Sequence, residues 1–86
     1  MKNPNISVII PVYNEEISIG LVIHDIPKTI VNQIIVVDNG SSDKTVLKAE
    51  RAGAVAVKEP KRGYGNACLK GISALSQNTD VVVFLD

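Results

Sequence analysis

With 86 residues, the chain makes one small domain at most and can hide only roughly 60 per cent of the surface its unfolded form exposes. Apolar side chains make up 45% of it and charged ones 21%, a balance that excludes disordered and fibrous classes. Nine basic residues are matched by nine acidic ones, so no overall field draws the protein to nucleic acid, and any bound anion must be held by local groups.

The longest apolar runs stop far short of the roughly 20 residues a membrane helix needs. The opening MKNPNISVIIPV lacks the apolar core and small-residue cleavage site of a signal peptide. A soluble, cytoplasmic chain is therefore expected. The single cysteine, Cys68, allows no internal disulfide and reads as a structural thiol.

In chain order, ISVIIPV (Ile6–Val12) is the first expected strand. Asn14 is placed to cap the following helix, with Glu15 and Glu16 in its opening turn and Ile17, Leu21 and Ile26 toward the sheet until Pro27 ends the run. QIIVVD (Gln33–Asp38) is the second strand. Ser42 or Asp43 can cap the second helix, whose Val46, Ala49 and Ala52 or Gly53 form a narrow face. AVAVKE (Ala54–Glu59) is the third strand. A third helix starts near Gly63, with Cys68, Ile72 and Leu75 at helical spacing. DVVVFLD (Asp80–Asp86) closes the chain as the fourth strand. These strands are β-branched and nearly continuous, as in parallel strands covered on both faces. The order βαβαβαβ with right-handed crossovers predicts an α/β fold, one parallel sheet flanked by helices.

Such sheets bind ligands outside the carboxyl ends of their strands. Four segments leave those ends: Pro11-Val12-Tyr13-Asn14-Glu15, Asp38 to Asp43, Glu59 to Gly65, and Asp86. All are polar, acidic or glycine-bearing. The dinucleotide fingerprint fails, since PVYNEE stands where G-x-G-x-x-G would follow the first strand. No G-x-x-x-x-G-K-[ST] loop is present either. Asp38 is the best candidate for base or ribose recognition, because a carboxylate accepts donors in a fixed plane. Its plainer role is that of a turn residue in Asp-Asn-Gly.

Together, SVIIPVYNEE, IIVVDNGSSDKT, EPKRGYGNACLKGI and VVVFLD resemble family 2 of the inverting glycosyltransferases, which use the Rossmann-like GT-A fold; the resemblance runs from Ile6 to Asp86. EPKRGYGNACLKGI is most similar to the dolichyl-phosphate mannosyltransferase and polyprenyl-phosphate glycosyltransferase branch. The resemblance implies a nucleotide-diphosphate sugar donor, UDP- or GDP-linked, and a lipid phosphate as one acceptor, in cell-wall or glycolipid synthesis. It implies a nucleotide pocket of Pro11, Val12, Tyr13, Glu15, Asp38, Arg62, Gly63 and Asp86. Tyr13 would stack on or border the base, Asp38 would hydrogen-bond it, and Arg62 with Gly63 would pass near the nucleotide. Lys61 or Arg62 would offset diphosphate charge; an ordinary solvated basic loop explains the pair equally well. Asn66 is as good a helix cap as a contact. Asp86 matches the first aspartate of the DxD motif, which implies that it holds a divalent cation, Mg or Mn. The second aspartate and the catalytic base would lie in further sequence. Residues 1–86 are then expected to be the N-terminal nucleotide-sugar-binding part of a glycosyltransferase domain, with no catalytic residue and no transfer activity alone. A longer parent with membrane helices would work at the cytoplasmic membrane face.

Two other readings are open. A sugar-nucleotide pyrophosphorylase has a related sheet, but is expected to carry a glycine-rich basic loop after the first strand. A flavodoxin-like or receiver-like module has the same alternation of elements, but PVYN and PKRG stand where a receiver would show its acidic residues. His24, late in the first helix, is read as a solvent-facing or helix-end residue.

Overall fold

The computed structural model describes residues 3–85. Four strands, β1 (Ile6–Val12), β2 (Gln33–Asp38), β3 (Val55–Lys58) and β4 (Val81–Phe84), alternate with three helices, α1 (Ile19–Asp25), α2 (Thr45–Arg51) and α3 (Tyr64–Ser73). All pairs are parallel, in the order β3-β2-β1-β4. The chain steps outward from β1 to β3 and then crosses to the other flank of β1. Right-handed crossovers in opposite directions must use opposite faces of the sheet. Accordingly α1 and α2 cover one face, with Val8, Ile10, Val12, Ile34 and Val36 beneath them. The small residue Ala67 brings α3 onto the other face, over Ile9, Ile35 and Val37. Among the described residues no helix is long and apolar enough to cross a membrane.

The strands form where expected, but burial on both faces holds only for β1 and β2. At the two edges Val55, Val81, Val83 and Phe84 stay 39–52% exposed, since among the described residues no strand lies beyond β3 or β4. The expected strand extended to Asp86, which lies outside the described residues.

The helices differ more from expectation. Asn14 does not cap α1. It adopts φ 51° within a turn, and the helix begins only at Ile19, after the amides of Ser18 and Ile19 have both bonded to the Glu15 carbonyl. The delayed start shifts the helix phase, so Ile19, Ile23 and Ile26 face the sheet while Ile17 and Leu21 face solvent. His24 does fall in the last turn of α1. In α2 the buried face is Thr45 and Ala49, and Gly53 follows at φ 101°, the left-handed position that lets a chain leave a helix.

In α3 the seated face is Ala67 and Gly71, not Cys68 and Ile72; Cys68 is only half-buried and Ile72 is exposed. A Cβ added to Gly71 would stand 2.5 Å from Cγ2 of Ile9, a fully buried side chain, so backbone contact decides this interface. Gly71→Ala should therefore lower stability by about 1–2 kcal/mol in denaturant unfolding, the overpacking penalty exceeding the gain in helix propensity.

Candidate functional site

Parallel strands all end on one edge, and three loops meet there: residues 13–18 after β1, 39–44 after β2 and 59–63 after β3. Their backbone polar groups cannot pair with one another in a ladder, so side chains must satisfy them. Asn14 ties the first two loops together. Its amide donates to Oγ of Ser41 at 2.8 Å, and its Oδ1 accepts the Ser42 amide at 2.9 Å. Thr45, fully buried, accepts the Glu15 amide at 2.8 Å and donates its hydroxyl to the Asp43 carboxylate. That carboxylate also accepts the amides of Thr45 at 3.0 Å and Glu16 at 3.3 Å. Asp43 thus serves the start of α2 from one residue ahead of the helix N-cap at Lys44.

Asn39 fastens the third loop. It is buried, and its Nδ2 donates to the carbonyls of Glu59 at 2.8 Å and Lys61 at 2.9 Å while its Oδ1 accepts the Gly63 amide at 3.0 Å. Glu59 adds a bond of 3.0 Å from the Lys61 amide to its own carboxylate. Gly63 sits at φ 125°, a conformation that glycine adopts without strain. Asn66 accepts no helix amide; it donates back to the Arg62 carbonyl at 3.0 Å.

The expected site residues divide along these lines. Tyr13 and Arg62 come together, the guanidinium carbon lying 3.9 Å from the ring centroid, a cation–π contact worth roughly 0.5–1 kcal/mol at an exposed position. Asp38 closes β2 and is 4% exposed, both carboxylate oxygens 3.2–3.3 Å from the Ser41 amide. It is a turn-forming residue here, and one amide leaves most of its lone pairs free for a further donor. Val12 is a wall: buried, its carbonyl accepting the Asn39 amide at 2.9 Å. Gly63 reaches the group through Asn39. Pro11 is half-buried, and the Glu15 carboxylate turns away to accept the Ser18 hydroxyl at 2.9 Å. Asp86, the expected cation ligand, lies outside the described residues, and among those described no three His, Cys, Asp or Glu side chains converge.

Sequence reading missed Asn39, Ser41 and Thr45 as the fasteners of this edge. Their signal was the polar string DNGSSDKT itself, which as a string shows only a turn. A separate concavity of about 440 Å³, lined by Asn5, Thr29 and Asn32 among others, opens at the opposite edge, and among the described residues no charged side chain lines it.

Two outcomes follow. Asn39→Ala should cost about 2 kcal/mol, since it leaves buried carbonyls and an amide without partners, and should speed exchange of the Gly63 amide. The Thr45 hydroxyl, with the amides of Thr45 and Glu16, holds the Asp43 carboxyl below its ordinary 3.8. A depressed carboxylate pKa contributes stability in full above the unfolded value and loses it as pH falls through the folded one. Urea midpoints should fall below about pH 4 in the parent, and Asp43→Asn should remove that part of the pH dependence.

The sequence model of glycosyl transferase family 2 matches residues 7–86. An uncharacterised glycosyltransferase of Mycobacterium tuberculosis is 38% identical over 86 residues, 100% of this chain and 38% of its own length. Protein RfbJ of Shigella flexneri is 40% identical over 83 residues, 95% of this chain and 63% of its own. Among solved structures, glucosyl-3-phosphoglycerate synthase from Mycobacterium tuberculosis, in complex with Mn2+, UDP and glucosyl-3-phosphoglycerate, superposes with a TM-score of 0.85 at 35% identity, covering 96% of this chain and 33% of that one. The chain therefore spans about a third of that enzyme and 38% of the first relative's length. The sheet is that of the GT-A glycosyltransferases, and the chain belongs to glycosyl transferase family 2.

Proposed function

We propose that residues 1–86 are the nucleotide-sugar-binding part of a glycosyltransferase domain that takes its sugar from a nucleotide diphosphate and transfers it with inversion. The observation that carries the reading is the contact of Arg62 with Tyr13 on the same edge of the parallel sheet as the Asp38 turn. An aromatic face, a guanidinium and a carboxylate are the groups that hold a base by stacking, offset phosphate charge and accept from a base N–H. Arg62 already covers the Tyr13 ring, so an entering base must either displace the guanidinium or use the other face. The backbone at Pro11, Val12 and Gly63 shapes the walls, and Glu15 stands at the β1 side.

Uridine is the proposed base, because solved relatives hold UDP, and UDP-glucose with phosphoglyceric acid. None of these relatives' names includes a lipid phosphate, so the polyprenyl-phosphate branch is not carried into the proposal. A cation lying between phosphates needs only one or two protein carboxylates, which suits the single acid Asp86; when bound, it supplies neutralisation of the leaving diphosphate. The family match over 80 of the residues (7 to 86) leaves no support for the pyrophosphorylase or receiver readings. The second aspartate, the base and the acceptor site are assigned to further sequence, so no sugar transfer is expected from these 86 residues.

Calorimetric titration with UDP-glucose and GDP-mannose, with and without manganese, tests this. UDP-glucose should bind saturably and more tightly than GDP-mannose. Asp38→Asn, which keeps an acceptor for Ser41, should weaken it about tenfold. Binding of neither nucleotide, or equal affinity in the variant, would refute the reading.

A further inference from the structure

Asn39 has a chemistry besides its hydrogen bonds. Of the asparagines in the chain it alone precedes a glycine. The backbone nitrogen of a following residue can attack an asparagine Cγ, and the Cβ of that residue ordinarily crowds the approach; glycine has none. Gly40 is exposed at φ 100°, and apart from its chain neighbours no atom lies within 4 Å of where a Cβ would stand. The surroundings of the nucleophile are therefore open.

The reaction needs water alone. The Gly40 nitrogen gives up its proton and bonds to Cγ of Asn39, the Cγ–Nδ2 bond breaks, and ammonia leaves with that proton. The five-membered imide that remains takes up one water at either carbonyl, which leaves an aspartate or an isoaspartate linkage at residue 39.

The structure holds this step back at the leaving group. Nδ2 donates to the carbonyls of Glu59 at 2.8 Å and Lys61 at 2.9 Å, while Oδ1 accepts the Gly63 amide at 3.0 Å. The side chain so held is only 8% exposed, and all three partners belong to one loop, residues 59–63. Attack makes Cγ tetrahedral and expels Nδ2, so that loop must open first. The same contacts make the outcome one-way. An acid at residue 39 keeps an acceptor for Gly63 but turns oxygen, in place of N–H, toward the Glu59 and Lys61 carbonyls, and buried carbonyls without donors oppose reclosure. The loop that carries Arg62 then stays loose.

We propose that Asn39 is a site of deamidation gated by opening of the 59–63 loop, and that its product unfastens this loop permanently from the carboxyl edge of the sheet. The chemistry is the same whichever ligand that edge takes.

The test incubates the 86-residue chain at mildly alkaline pH, where the Gly40 nitrogen loses its proton more readily. Mass spectrometry follows conversion at Asn39, and nuclear magnetic resonance follows exchange of the amide at residue 63. Conversion should run at least about tenfold slower in the folded chain than in guanidinium chloride above the unfolding midpoint, since only the open fraction reacts. Gly63→Ala, strained at φ 125°, should speed conversion and exchange together. Denaturant below the midpoint should do the same to the parent, and serves if the variant does not fold. Asn39→Asp, the direct product, should exchange the residue 63 amide at least about tenfold faster than the parent. Equal conversion in folded and unfolded chains, faster exchange without faster conversion, or parent-like exchange in Asn39→Asp would overturn the proposal.

Discussion

Parallel pairing requires that every strand be followed by a crossover, and so forces all strand ends of one kind onto the same edge. The buried ladder between β1 and β2 enforces this most strongly here: Val8 to Val12 and Ile34 to Asp38 are in register, with only Pro11 among them less than fully buried. A slip of one residue would turn this apolar set over to the opposite face. The register therefore fixes more than packing. It places the carbonyl of Val12 against the amide of Asn39, and with that bond the loops after β1 and β2 start from defined positions.

From those positions the edge is organised by polar contacts rather than by apolar burial. Asn14, Asn39, Asp43 and Thr45 each bond across or along loops, and among the described residues no buried side-chain nitrogen or oxygen lacks a partner. A single hydrogen bond contributes on the order of 1 kcal/mol net, but an orphaned buried group costs up to about 3 kcal/mol. The network is thus worth more for the arrangement it forbids the loops to leave than for its sum of bonds. Arg62 and Tyr13 lie outside this fixed part: both are exposed, and their contact is weak enough for a ligand to compete with it. A hydrogen-bonded set of loops with an exposed, weakly held pair beside it is suited to admitting a ligand.

The strands were legible because their signal is a run of β-branched residues, and length and composition suffice to place a run. The helices were legible in existence and order but not in phase. Ile17 and Leu21 form as good an apolar stripe as Ile19 and Ile23, and only the Asn14 turn, which delays the helix, chooses between them. In α3 the apolar side chains Cys68 and Ile72 outscore Ala67 and Gly71, yet close approach to Ile9 selects the small ones. At the edge, Tyr13, Asp38 and Arg62 could be found from chemistry and placement after strands. Asn39 could not, because an asparagine in a turn looks the same whether it binds solvent or fastens a loop 20 to 24 residues away.

We propose that ligand recognition belongs to the carboxyl edge of the sheet. Mapping amide chemical-shift changes residue by residue as UDP is added to the labelled chain tests it most directly. Changes should gather at Tyr13 to Glu15, Asp38 to Ser42 and Lys61 to Gly63. Changes gathered instead at Asn5, Thr29 and Asn32, around the concavity of the opposite edge, would contradict it.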